Sequence, residues 1–299
     1  MTKTFNAWKA QAATLHIEGR AFIGGAYVAA ADGAVFDCIS PVDGAVLCQV
    51  ARCGAADVEC AVSSARQAFE AGVWADTTTR QRKAVLLRWA QLLSQHSEEL
   101  ALLETLDSGK PIRDTLNSDL PNALYCLEWY AEAIDKRNDE AVPCGSHFLA
   151  LVRREAMGVV AAIVPWNYPL LMAAWKFAPA LAVGNSLILK PSERSPLTAI
   201  RIAQLAKEAG IPDGVFNVLP GMGDVGAALS AHADVDCVAF TGSGPTGRRI
   251  LKAAADSNLK RVWLELGGKS PNIIMADCPD LERAAQSAAA AIFSNMGEV

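Results

Sequence analysis

The chain has 299 residues, 52% hydrophobic and 20% charged, with a formal net charge of −5. That balance excludes a disordered chain, and the lack of any basic run or stripe excludes nucleic acid and anionic membrane surfaces as expected partners. The opening MTKTFNAWKAQAATLHIEGR lacks the apolar core and small-residue cleavage site of a secretory leader. Apolar stretches are cut at Pro165, Lys176 and Pro179, well short of the ~20 residues of a membrane span, so a cytoplasmic location is expected. Eight cysteines (Cys38, Cys48, Cys53, Cys60, Cys126, Cys144, Cys237 and Cys278) include no CxxC pair, and the four histidines are scattered. The thiols therefore read as reduced, and no metal site is expected.

In chain order, the first half reads as mixed. Strand-like runs AFIGGAYV, AVFDCIS and AVLCQV are separated by Gly, Asp and Pro. Helical patterns follow in AADVECAVSSARQAFEAG, RQRKAVLLRWAQLLSQHSEELALLETLDSG and LPNALYCLEWYAEAIDKR, with Gly72 and Gly109 as C-caps. Glu98 and Glu99 read as solvated surface charges. HFLALVRRE, residues 147–155, alternates partly and predicts an exposed strand. The second half is regular. Apolar runs GVVAAIV (158–164), NSLILK (185–190), GVFNVL (214–219), DCVAFT (236–241) and RVWLEL (261–266) alternate with helical patterns. Strand and helix at intervals of about 20–30 residues predict βαβ units and a doubly wound parallel sheet covered on both faces. Ligands of such sheets sit at the carboxyl ends of strands. The chain closes on DLERAAQSAAAAIFSNMG, an amphipathic helix pattern.

The loops after those strands are the candidate site. GMGDVG (221–226) has the spacing of a dinucleotide fingerprint, but Asp234 and Asp236 come too early and precede a strand, so an ordinary glycine-rich turn competes with it. FTGSGPTG (240–247) offers Gly242, Ser243, Gly244 and Gly247 ahead of a helix, where backbone N–H groups can approach a phosphate. VPWNYP (164–169) is either a Pro-punctuated turn with a core tryptophan or a loop presenting the Asn167 amide as an oxyanion donor. In KPSE (190–193), Lys190 and Glu193 are either a surface ion pair or a grip on a ribose. In ELGGKSP (265–271), Glu265 stands at a strand end as a cap or a general base.

Taken together and in this order, PWNYP, KPSE, FTGSGPTG and ELGGKSPN resemble the aldehyde dehydrogenase superfamily, with FIGGAYV, LETLDSGKPI and WYAEAIDK in agreement. Within it, the chain looks most like the bacterial γ-glutamyl-γ-aminobutyraldehyde dehydrogenases of putrescine breakdown. The resemblance implies a Rossmann-like cofactor domain (residues 1–136 and 156–265), an oligomerisation β-hairpin (137–155) and the opening of a catalytic domain (266–299). It implies NAD-dependent oxidation of an aldehyde through a cysteine thiohemiacetal and thioester. Asn167 matches the donor to the oxyanion, Glu265 the base, and Lys176 a lysine that assists proton movement, against the plain reading of a surface lysine. Trp166, Lys190, Glu193, Gly223, Gly242, Ser243, Gly247 and Leu266 match cofactor contacts, with GMGDVG near adenine and FTGSGPTG near the phosphates. Glu193 favours NAD over NADP, because a carboxylate repels a 2′-phosphate. Tyr168, Met172 and Trp175 match the substrate tunnel, although their helical spacing also suits plain core. Dimers or tetramers are usual in the family.

FSNMGEV resembles the approach to the family's nucleophile, which comes one residue beyond Val299, and none of the eight cysteines lies in a matching motif. The expectation is an N-terminal fragment, inactive alone. The alternative is a non-catalytic NAD-binding or interaction protein derived from the family. Two departures stand out. Glu298 replaces the usual glutamine, which adds a charge beside the nucleophile site. Gly244 stands where threonine is common, which would loosen the phosphate turn.

Overall fold

The computed structural model describes residues 3–298. Chain order begins with α1 (Phe5–Ala13), β1 (Ala21–Ile23), β2 (Ala26–Val28), β3 (Val35–Ile39), β4 (Val46–Ala51) and α2 (Ala55–Glu70). It continues through α3 (Thr79–Gln95), α4 (Ser97–Ser108), the single turn α5 (Ile112–Asp114), α6 (Leu120–Ala133), β5 (Glu140–Val142) and β6 (Ala150–Val152). The regular half is β7 (Val159–Ile163), α7 (Pro169–Ala182), β8 (Ser186–Lys190), α8 (Leu197–Ala209) and β9 (Phe216–Val218). It ends with α9 (Gly223–Ala231), β10 (Cys237–Gly242), α10 (Gly244–Ala255), β11 (Arg261–Leu266) and α11 (Leu281–Phe293).

Seven strands form one sheet in the order β11-β10-β7-β8-β9-β1-β2. The five strands β7 to β11 run parallel, and the β1–β2 hairpin adds antiparallel at the β9 edge. The apolar strand runs are explained by two cores, one on each face. Along β7, Val160 and Ala162 enter the core shared with α3, α6, α7 and α8. Val159, Ala161 and Ile163 enter the core shared with α2, α9 and α10. Period-two alternation thus feeds both faces from one continuous hydrophobic run, as a doubly wound sheet requires. From β7 the chain winds outward to β8 and β9, then returns to β10 on the other side of β7. The reversal leaves a crevice at the carboxyl ends of β7 and β10, where such sheets bind ligands.

Two small ribbons stand apart, β3–β4 and β5–β6. The second falls within 137–155, and its strand in HFLALVRRE shrinks to Ala150–Val152. The long helical run read between residues 80 and 109 is two helices, because His96 ends α3 and opens α4. Gly109 closes α4 at φ 80, a left-handed cap that glycine adopts without a Cβ penalty. Glu99 is not the solvated charge expected. It accepts from Arg201 Nε at 2.6 Å across 102 residues of chain and lies 2.7 Å from His96 Nδ1. None of α11 is buried.

Candidate active site

The loop leaving β7 is held from several sides. Val164 N–H donates to the Lys190 carbonyl, tying it to the end of β8 at 3.1 Å. Ser195 Oγ donates to the Trp166 carbonyl at 3.0 Å, and the Arg194 guanidinium lies 5.9 Å from the Trp166 ring centre. Asn167 is half-buried, and its Nδ2 donates to the Glu298 carbonyl at 2.6 Å. Asn295 Nδ2 donates to the Asn167 carbonyl at 3.0 Å. The Asn167 amide therefore meets the backbone of the FSNMGEV segment directly, 131 residues away in sequence. Val299, from which the nucleophile position was counted, lies outside the described residues.

Lys176 is no surface lysine. It is only 8% exposed, and its Nζ donates to Thr241 Oγ1 at 2.5 Å. Burial pushes its pKa down to about 8, with the Glu265 charge opposing. Thr241 is the register partner of Glu265 across β10 and β11. Lys176, Thr241 and Glu265 thus form a row at the carboxyl edge of the sheet, with Glu265 itself exposed.

The cofactor candidates follow the neighbouring strands. Lys190, at the end of β8, is buried, and its Nζ lies 3.6 Å from Glu193 Oε2. Burial lowers its pKa, while Glu193 and the more distant Asp224 oppose the shift. Ser243 caps α10 by accepting from Thr246 N–H at 3.4 Å, and its hydroxyl also lies 3.0 Å from Thr246 Oγ1. Gly244 begins the helix behind that cap. Gly247 permits a close approach. A Cβ there would sit 3.0 Å from Leu266 Cδ2, so glycine lets α10 lie against β11 beside Leu266. A Cβ at Gly242 would meet the Phe240 ring at 2.5 Å, whereas Gly223 faces open space. Asp236, rejected as a fingerprint acid, is structural. It accepts from Val159 N–H at 2.7 Å and from Arg66 at 2.5 Å.

A cavity of about 440 Å³ gathers Trp166, Glu193, Met222 and Glu298, with Phe36, Asp37 and Ile39 of β3 as its far wall. Among the described residues no cysteine lines it. One carboxylate oxygen of Glu298 is buried with no hydrogen-bond partner among the described residues, and burial raises its pKa. The three tunnel candidates separate. Tyr168 lines a 400 Å³ cavity with Asp119 and Phe293, and Trp175 lines a 470 Å³ groove with Tyr125 and Trp129. Met172 lines neither and packs partly buried against the main core.

Sequence reading missed the carboxylates behind this loop. Glu104 and Asp107 of α4 are buried. Glu104 Oε2 accepts from Leu170 N–H at 3.3 Å, and Asp107 Oδ2 accepts from Leu197 N–H at 2.9 Å. Neither α7 nor α8 has a side-chain cap of its own. One helix therefore supplies remote acceptors for the orphan N–H groups of the two helices that follow the β7 and β8 loops. Lys110 is also buried, pairs with Asp119 and lies 3.9 Å from the Tyr168 ring centre. The available signal was LETLDSGK, acids within a stretch whose leucines leave no continuous polar face.

A sequence profile described as the aldehyde dehydrogenase family matches residues 27–299. The chain belongs to the aldehyde dehydrogenase family. The NADP/NAD-dependent aldehyde dehydrogenase PuuC of Escherichia coli K12 is 57% identical over 293 residues, which is 98% of this chain and 59% of that protein. The solved γ-glutamyl-γ-aminobutyraldehyde dehydrogenase of Burkholderia cenocepacia J2315 is 65% identical with a TM-score of 0.98, covering 99% of this chain and 60% of that one. An indole-3-acetaldehyde dehydrogenase of Pseudomonas syringae, solved with NAD+, is 60% identical with a TM-score of 0.98, covering 100% of this chain and 60% of that one. This aldehyde dehydrogenase chain thus spans about 60% of the length of those relatives.

Proposed function

We propose that this chain is the cofactor-side portion of an NAD-dependent aldehyde dehydrogenase acting on a linear, amine-derived aldehyde such as γ-glutamyl-γ-aminobutyraldehyde. The observation that carries the reading is the Asn167 amide, 2.6 Å from the Glu298 carbonyl, on the same crevice edge as the Lys176, Thr241 and Glu265 row. A thiol delivered just after Val299 would attack the aldehyde carbon, and the Asn167 N–H would stabilise the resulting oxyanion. When bound, NAD accepts the hydride. Glu265 then takes a proton from the water that hydrolyses the thioester to the acid. Lys176, with a pKa pushed to about 8, can give or take that proton near neutrality through the Thr241 hydroxyl. Tyr168, Met172 and Trp175 are the proposed substrate walls.

The residues present suit a dinucleotide. A buried ammonium at Lys190 and the Glu193 carboxylate offer a donor and an acceptor to a ribose. The N-cap residue of α9, Met222, makes no side-chain bond, although Asp224 takes the Val225 N–H, and a Cβ at Gly223 or Gly244 would meet nothing within 4 Å. The start of α9 thus leaves backbone N–H groups open to an anion, whereas at α10 Ser243 already takes the Thr246 N–H and Pro245 has none. Trp166 forms a cofactor wall, with Gly242, Ser243, Gly247 and Leu266 completing the phosphate side. Glu193→Gln should raise affinity for NADP relative to NAD by roughly tenfold, about 1.4 kcal/mol, measured by calorimetry. An unchanged ratio would remove Glu193 from the ribose site.

The chain, whose cleft is lined by no thiol among the described residues, is proposed to oxidise no aldehyde alone. Absorbance at the NADH band with the purified chain, NAD and a short aldehyde is the check, and turnover would overturn it. The genomic DNA downstream should continue with a cysteine codon, and a chain extended by that sequence should gain activity. Unrelated sequence there would favour a non-catalytic binding protein. The exposed β5–β6 ribbon, with Leu151 61% exposed, is the proposed contact with a second copy in a dimer or tetramer.

A further inference from the structure

The inward face of the β3–β4 ribbon carries two cysteines side by side. In this antiparallel ladder Cys38 stands directly opposite Cys48, and Phe36 opposite Val50. Alternation along each strand turns these four side chains to one face. Burial agrees, since Cys38 and Val50 are buried whereas Asp37 and Gln49 face solvent. Opposed residues in such a ladder have Cα atoms about 4.5–5.5 Å apart, inside the ~4.4–6.8 Å span of a disulfide. Both thiols are free. Cys48 is half-buried and forms part of the wall of a 320 Å³ cavity shared with Glu18, Arg20 and Gly33, which gives a small oxidant a route to its sulfur.

We propose that Cys38 and Cys48 are a redox modification site, forming a reversible disulfide across the ribbon when the protein meets a peroxide. The neighbouring Cys48 thiol, together with burial, pushes the Cys38 thiol up, and Cys48 is the less buried of the two, so Cys48 meets the oxidant first. The Cys48 thiolate attacks one peroxide oxygen. The O–O bond breaks, hydroxide leaves and is protonated to water, and Cys48 becomes a sulfenic acid. The Cys38 sulfur then attacks the Cys48 sulfur. An S–S bond forms, the S–O bond breaks, and the Cys38 proton leaves with the hydroxide as a second water. Two thiols and one hydrogen peroxide thus give one disulfide and two waters, with two electrons passing from sulfur to oxygen. A dithiol reductant returns two electrons and two protons. Phe36, Asp37 and Ile39, which flank Cys38, line the 440 Å³ cavity with Trp166 and Glu193, so the bridge pins one wall of the proposed cofactor cleft.

The test uses the purified chain and a few molar equivalents of hydrogen peroxide, followed by alkylation and digestion without reductant. No Lys or Arg lies between the two cysteines, so cleavage at Asp43 as well as Arg52 separates them. The expected map shows one linkage, joining the Cys38 and Cys48 peptides. Denaturing thiol titration should fall from eight to six and return to eight with dithiothreitol. Cys38→Ser should leave Cys48 as a sulfenic acid that dimedone traps. Dimedone-trapped Cys48 in the oxidised native chain without the linkage would overturn the proposal. So would linkages among other cysteines at the same dose, or both thiols remaining alkylatable. The native-chain map decides these outcomes even where a variant fails to fold.

Discussion

Strands β8 and β11 have similar composition and belong to the same parallel sheet, yet they live in different environments. All five residues of β8 are buried, whereas Arg261, Trp263, Glu265 and Leu266 of β11 are exposed. The difference lies in the neighbours. β8 sits between β7 and β9 with helices on both faces, while β11, among the described residues, pairs with β10 alone and meets α10. An apolar run therefore records that a strand can be buried on two sides. Which contacts cover it is a property of the packed molecule. The same contrast separates Phe177, 1% exposed between Trp89 and Phe216, from Phe293 of α11, 76% exposed.

Four tests probe that contrast. Phe177→Ala should cost about 3–5 kcal/mol through lost burial and a residual cavity, read from urea unfolding. A loss near zero would mean that the core facing β8 is loosely packed. Lys110→Met leaves Asp119 as a buried, unpaired carboxylate and should cost about 3 kcal/mol. Adding Asp119→Asn should recover part of that loss, and simple additivity of the two would argue against the pair.

The third test concerns pH. Burial raises Glu104 from 4.5 to about 8, with the Lys110 charge opposing, and Asp107 shifts the same way. Between those pH values the native state holds more protons than the unfolded chain. This contribution to stability is fully present below about pH 4.5 and is lost as pH rises through 8. Glu104→Gln should flatten that decline while keeping an acceptor for Leu170 N–H, and an unchanged slope would mean Glu104 is ionised in the folded protein. The smallest effect is expected at the other pole of the comparison. Phe293→Ser should stay within about 0.5 kcal/mol. A larger loss, especially one that depends on protein concentration, would show that a second copy covers α11.

Much of the fold was legible because its signals are local. The five apolar runs of the second half match β7 to β11 to within two residues, since strand length, β-rich composition and flanking Gly or Pro all act within a few positions. The chemistry-bearing loops were legible for a related reason: a parallel strand must end in a loop on one edge of the sheet, so PWNYP, KPSE and FTGSGPTG had to face the same side. The buried charges were not legible. Glu104 meets Leu170 across 66 residues and Asp107 meets Leu197 across 90, and helical periodicity within α4 carries no information about helix ends that distant. Lys176 was misjudged in its plain reading for the same reason, because its burial depends on Thr241, 65 residues further on. The cysteine pair was invisible until the β3–β4 register was known, since an antiparallel ribbon with a bulge after Cys38 can align its strands in more than one way.

The sequence by itself determined the family, the parallel doubly wound sheet and the candidate residues Asn167, Lys176, Glu193 and Glu265, because each rests on motifs a few residues long and on the order in which they occur. Only the tertiary structure decided that Asn167 meets the Glu298 carbonyl, that α4 caps two helices with buried acids, and that Cys38 faces Cys48. Those are contacts between segments that folding, and not proximity along the chain, brings within hydrogen-bonding or bonding reach.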